Sequence, residues 1–210
     1  MTEILPGADL TTPAGWANAE FLSMVAPGFL IAVAVISGMR ATAAEEEAKT
    51  LGMSLSAPVS RTTFLAAKSV ATVLLVGLMG VMVLVGLWVA DLSGDLGLST
   101  SGMVAAALHT TMLGLVVGAV TITAGVLVGR KRPTMVIGAG FAGLSFAIAS
   151  FFPLSESLSS WARISPWYHY NASDPLVNGA DWGSLTVLAI TAVVVLAIGF
   201  WDFPRKDLRG

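Results

Sequence analysis

Of the 210 residues, 55% are hydrophobic and 11% charged, and thirteen acidic against eleven basic side chains leave a formal charge of −2. A soluble domain carries about a quarter of its residues as charges, so with a mean hydropathy of +0.82 the excess apolar surface must face lipid. The slight acidic balance argues against a nucleic-acid partner, and the absence of cysteine excludes disulfides, thiolate metal sites and thiol nucleophiles.

Residues 1–20, MTEILPGADLTTPAGWANAE, have neither a positive n-region nor an apolar h-region. They read as an extracytoplasmic N-terminal segment and not as a signal peptide. Five apolar runs follow, at about 21–39, 66–90, 103–128, 134–152 and 184–201, each close to the roughly 20 helical residues that cross a bilayer. Lipid offers no water to backbone groups, so each run is expected to be a helix. None alternates at period two as a membrane barrel strand does. The fold class that results is all-α, a polytopic transmembrane helix bundle over residues 21–210. Pro27 is predicted to kink the first span.

The stretch between the first two spans, Glu45–Lys68, reads EEEAKTLGMSLSAPVSRTTFLAAK. Ala48, Leu51 and Leu55 are spaced to share one helical face. Glu45, Glu46 and Glu47 sit at its start, where the helix dipole favours negative charge. Pro58 ends that helix, Ser60 is placed to cap the next one, and Lys68 can snorkel back to the interface. A helix lying on lipid explains the amphipathic spacing but not three acids, which an anionic leaflet repels. A protein partner explains them.

Arg40, Lys49, Arg61 and Lys68 flank this connection, Arg130, Lys131 and Arg132 form the third connection, and Arg205, Lys206 and Arg209 lie in the tail. Only Arg163 falls on the other side. The positive-inside rule therefore puts the N-terminus outside and the C-terminus in the cytoplasm, as an odd number of crossings requires. The glycine pairs Gly114/Gly118 and Gly125/Gly129 have small-xxx-small spacing. Packing within one chain is the preferred reading and a dimer seam the alternative. Gly138–Gly143, GAGFAG, fits a dinucleotide fingerprint in letters only, since it lies in an apolar run with no strand before it. It reads as close helix packing. His109 is expected to be hydrogen-bonded inside the bundle.

The external loop 153–183 places Leu154, Leu158, Trp161 and Ile164 at helical spacing, followed by Trp167, Tyr168, Tyr170 and Trp182. An aromatic belt with a helix on the outer leaflet is one reading.

Glu45–Lys68 resembles the segment after the second transmembrane helix of ABC type-2 transporter permeases: the acids Glu45, Glu46 and Glu47, then Leu51 and Leu55, then Pro58-Val59-Ser60-Arg61, then Lys68. The C-terminal third is similar to the same family, through Ser165-Pro166-Trp167-Tyr168-His169-Tyr170, Asp174-Pro175-Leu176, Asn178-Gly179, Asp181-Trp182 and the tail Phe203-Pro204-Arg205-Lys206-Asp207-Leu208. The resemblance implies that residues 45–61 form a coupling segment docking on an ATPase subunit, with Glu45, Glu46, Glu47, Leu51, Leu55, Pro58, Val59, Ser60 and Arg61 as contact residues. It also implies short re-entrant helices in 153–183 that close the exit path. Family units have six helices, beginning with an elbow helix and a first crossing. Five here correspond to a divergent short member, a split gene or a truncated frame.

The expected function is thus the permease subunit of an ATP-binding-cassette exporter in a bacterial or archaeal plasma membrane. It would work with a separate ATPase, since no Walker A loop is present, and with a second permease chain, identical or different. No catalytic residue, metal or cofactor is expected. The rivals are a non-transporting assembly factor or sensor, which needs no ATPase, and an intramembrane enzyme, which needs paired polar residues deep in the spans.

Overall fold

A computed structural model of the chain describes residues 18–49 and 60–205, and all regular structure among them is helical. In chain order the helices are α1 (Ala26–Ala41), α2 (Ala43–Glu47), α3 (Arg61–Gly94), α4 (Thr100–Val128), α5 (Lys131–Phe151), α6 (Pro166–Asn171), α7 (Pro175–Asn178) and α8 (Trp182–Asp202). Five helical stretches are long and apolar enough to cross a bilayer: Phe21–Ala41, Arg61–Gly94, Thr100–Val128, Lys131–Leu154 and Trp182–Arg205. Each contains one of the runs predicted from hydropathy.

Polar residues set the ends. Ser60 accepts a hydrogen bond from the Thr63 N–H at 3.0 Å, Ser99 from Gly102 at 3.1 Å, and the Asp181 carboxylate from Gly183 at 3.0 Å. Each satisfies a first-turn donor that the helix itself leaves unpaired. Pro27 lies in the first turn of the α-helical part of the first span. Residues Asn18–Val25 form a π-helix, and regular α-helix begins only at Ala26. In the five-residue register of a π-helix, the Leu22 carbonyl faces the nitrogen of residue 27, and proline has no hydrogen there to give. The 34 residues of α3 extend about 51 Å at 1.5 Å per residue. That exceeds a hydrocarbon core of about 30 Å, so α3 tilts or projects beyond it.

α4 is the axis of the bundle and packs against all four other spans. In its most apolar window 67% of residues are buried, against 17% for α5 and α8. A helix that is apolar on every side belongs in the interior. Glycine lets the neighbours approach at Gly114, where a Cβ would press on Leu30 and Val76; one on Gly118 would make ordinary contact with Thr72. Both positions pack α4 against α1 and α3 of the same chain, the within-chain reading of that pair. Hydroxyls along α4 bond back to carbonyls one turn earlier, Thr110 to Ala106 and Thr121 to Val117, which hides them from lipid. Thr123 instead donates to the Val195 carbonyl of α8 at 2.9 Å. His109 is fully buried, with Nδ1 3.0 Å from the Ala105 carbonyl, the hydrogen-bonded, inward-facing state expected of it.

GAGFAG divides. Gly138 meets Thr121 of α4, and a side chain there would collide with it, but a Cβ on Gly140 or Gly143 would meet nothing. Close packing holds for the first glycine only, because three residues sharing so short a stretch of helix cannot all face one neighbour.

Candidate functional site

At the end of the bundle that carries the basic residues, the chain leaves α1 through Thr42, whose φ of −141° and ψ of −60° break the helix. One further turn, α2, follows. The Thr42 carbonyl accepts from the Glu45 and Glu46 N–H groups at 3.1 and 3.0 Å. Ala48 closes the turn, and Lys49 takes a left-handed φ of 58°, the conformation in which helices commonly end. The helix that begins at the acids therefore ends before residue 50. Residues 50–59, with Leu51, Leu55, Pro58 and Val59, lie outside the described residues.

The three acids all turn toward the chain itself. Glu45 is ion-paired with Lys68 in the second turn of α3. Glu46 is buried against Gly129, where any side chain would run into its carboxylate. Glu47 Oε2 accepts from the Lys131 N–H at the start of α5 at 2.6 Å. Gly129 also has a φ of +66°, so both its conformation and its neighbour require glycine. Thr42 and Ala43 seat against Gly125. The pair Gly125/Gly129 thus forms the bed of α2 and not a seam between chains. A partner is no longer needed to explain why there are three acids here, because each has a place within the fold.

The other predicted residues at this end are brought to the same corner. Ser60 caps α3. Arg61 donates to the Pro204 carbonyl at 3.4 Å. Phe203, fully buried, packs with Ala41, Leu65, Ile122 and Val126 and stacks on Phe64 at 6.2 Å. The stub, the start of α3, the α4–α5 turn and the tail form one contiguous unit.

At the opposite end, residues 152–181 fold over α4. Two 3₁₀ turns, Phe152–Leu154 and Ser159–Ile164, replace the single surface helix that the spacing of Leu154, Leu158, Trp161 and Ile164 suggested. The side chains of Leu154, Leu158, Trp161 and Ile164 are exposed, as is Trp182. Trp167 and Tyr170 are not part of this outer belt. They are buried, edge to face with each other at 5.9 Å, and Trp167 packs on Phe146 at 5.0 Å. Ser165 and Ser145 share a hydrogen bond of 2.8 Å, and Ser145 also accepts from the Trp167 N–H at 3.1 Å. The Tyr170 hydroxyl donates to the Leu22 carbonyl, the acceptor that Pro27 leaves without a partner in the π register. Burial pushes the Tyr170 phenol well above its ordinary value, with the Thr110 hydroxyl acting against it.

Residues 9–204 match the family model described as "Multidrug efflux system permease Rv1217c, C-terminal domain". The chain belongs to this permease family. No curated protein gives a significant match. In this permease domain, α2 with its acids and the α6–α7 layer each join several spans at once. The Tyr170–Leu22 bond escaped sequence reading. Its signal was present in Pro27, whose missing N–H implies an acceptor waiting one π-turn earlier, but nothing in the linear order tied that acceptor to a tyrosine 148 residues away.

Proposed function

We propose that the chain is the membrane-spanning subunit of an ABC type-2 exporter, moving small lipophilic molecules outward across the plasma membrane. Hydrolysis of ATP on a separate ATPase subunit drives it. The match to an efflux permease domain over residues 9–204 carries this reading, and the word multidrug in its description supports the passenger class. The basic end is assigned to the cytoplasm by the positive-inside rule. Four spans surround a filled axis, α4, so a passage through the middle of this bundle is disfavoured. The path then runs along its surface, against a second permease unit.

Coupling is mechanical. Residues 48–59 meet the ATPase, with Leu51 and Leu55 as the apolar anchors and Pro58, Val59, Ser60 and Arg61 at the junction with α3. Glu45, Glu46 and Glu47 fasten this segment to α3, α4 and α5. A push on the segment reaches three spans together, as a rigid-body rearrangement of the bundle requires.

Purification of the tagged full chain in mild detergent is the test. An ATPase is expected to copurify. Leu51→Asp with Leu55→Asp should lower its recovery about tenfold or more, as loss of buried anchors at an interface does, with the melting temperature of the permease unchanged. Efflux of a lipophilic fluorescent cation from vesicles should stop without ATP. Efflux that persists without ATP, or a wild-type preparation with no ATPase, would overturn the proposal.

A further inference from the structure

A crevice of about 300 Å³ opens between α1 and α3 at the basic end of the bundle. Its chemistry is graded along its length. Arg40, near the end of α1, and Lys68, near the start of α3, line one end. Seven residues away on each helix, about 10 Å along the axes, Val33 and Leu75 line the other. Because the two helices run in opposite directions, both cations lie at the same depth and both apolar walls lead toward the middle of the membrane. Arg40 is exposed, and among the described residues no carboxylate pairs with it. Lys68 uses one of its three donors on Glu45.

We infer that this crevice binds an anionic phospholipid of the leaflet at the basic end, its phosphate on Arg40 and Lys68 and its proximal acyl chain along Val33, Ile36, Ala71 and Leu75. The guanidinium fork matches a phosphate with two parallel hydrogen bonds, and basic pockets between spans take lipid headgroups of this class. Inorganic phosphate would satisfy the cations but leave the apolar walls bare. A zwitterionic lipid would bring its own cation to a place already positive. The volume is too small for a whole phospholipid. It suits the headgroup and the first part of a chain, with the remainder running along the exposed side chains of Ile36 and Leu75.

Native mass spectrometry of the full chain in mild detergent, with phosphatidylglycerol, phosphatidylcholine or inorganic phosphate added, reads this site without reference to transport. A retained phosphatidylglycerol is expected, with much less phosphatidylcholine and no phosphate. Arg40→Gln should reduce retention about fivefold, the effect of one basic residue on an anionic headgroup. Ala71→Trp fills the crevice from an exposed position while keeping both charges, and should reduce retention as much. Arg132→Gln, exposed and outside the crevice, should leave it unchanged. Wild-type retention in both Arg40→Gln and Ala71→Trp would overturn the inference. So would equal retention of phosphatidylcholine, or binding of phosphate alone.

Discussion

Tyr170 illustrates how a single side chain can complete another segment's backbone. Its hydroxyl supplies the hydrogen that Pro27 withholds from Leu22. Tyr170→Phe keeps the ring packing but leaves a buried carbonyl unpaired, which costs about 1–3 kcal/mol, read as a lower melting temperature in detergent. Pro27→Ala restores an N–H within reach of that carbonyl, so the loss in Tyr170→Phe should shrink in the Pro27→Ala background. Simple additivity of the two changes would refute the assignment. The phenol also sets a pH dependence. Its folded pKa is raised by burial above the ordinary value of about 10, so its contribution is complete below pH about 10 and is lost as pH rises further. Tyr170→Phe should flatten that alkaline limb. Asp181 has the opposite sign. Hydrogen bonds from the Ser184 side chain and N–H hold its carboxyl below the usual range, so its stabilising part is present above pH about 4 and is lost as pH falls.

At the scale of elements, the informative piece is α2. Amphipathic spacing and three acids marked Glu45–Lys68 as unusual, and the acids argued for a protein partner. In the fold Glu46 is buried against Gly129, while the half-buried Glu45 and the exposed Glu47 engage Lys68 and the Lys131 N–H. The sequence carried a clue in the spacing of Gly125 and Gly129, but small residues at that spacing serve any close neighbour, and only the folded chain shows that the neighbour is α2. The chain has no cysteine, so a single one reports cleanly. Ala43→Cys should be protected from aqueous maleimide, since Ala43 is fully buried. It should become reactive when Gly125→Leu lifts α2 from its bed. Equal reactivity in both backgrounds would show that α2 is not seated there. The outer layer teaches the same lesson about aromatics: Trp161 and Trp182 are exposed as a belt requires, while Trp167 and Tyr170 lie in the interior. All four share an interface-loving composition. Beside the two buried rings, Ser165 hydrogen-bonds to Ser145 and ties the start of α6 to α5.

At the scale of the molecule, the contacts place α2, the α4–α5 turn and Phe203 at one end and Leu22, Tyr170 and Leu176 at the other. The described residues therefore cross an odd number of times. Which end faces the cytoplasm rests on charge, and a membrane-impermeant label decides it. Lys49→Cys should react only from the cytoplasmic side and Glu156→Cys only from outside. The reverse pattern would remove the coupling segment from reach of any cytosolic ATPase.

The number and order of the spans were written in the linear chain, because the bilayer is a solvent whose thickness and dryness act on each stretch separately. The caps at Ser60 and Asp181 were equally local. Which helix forms the axis, where the acids are spent and how Tyr170 reaches Leu22 were decided by packing. Every apolar helix looks alike to lipid, so hydropathy cannot rank α4 above α8. Close approach at Gly114 and Gly125, and the pairing of polar groups far apart in sequence, can.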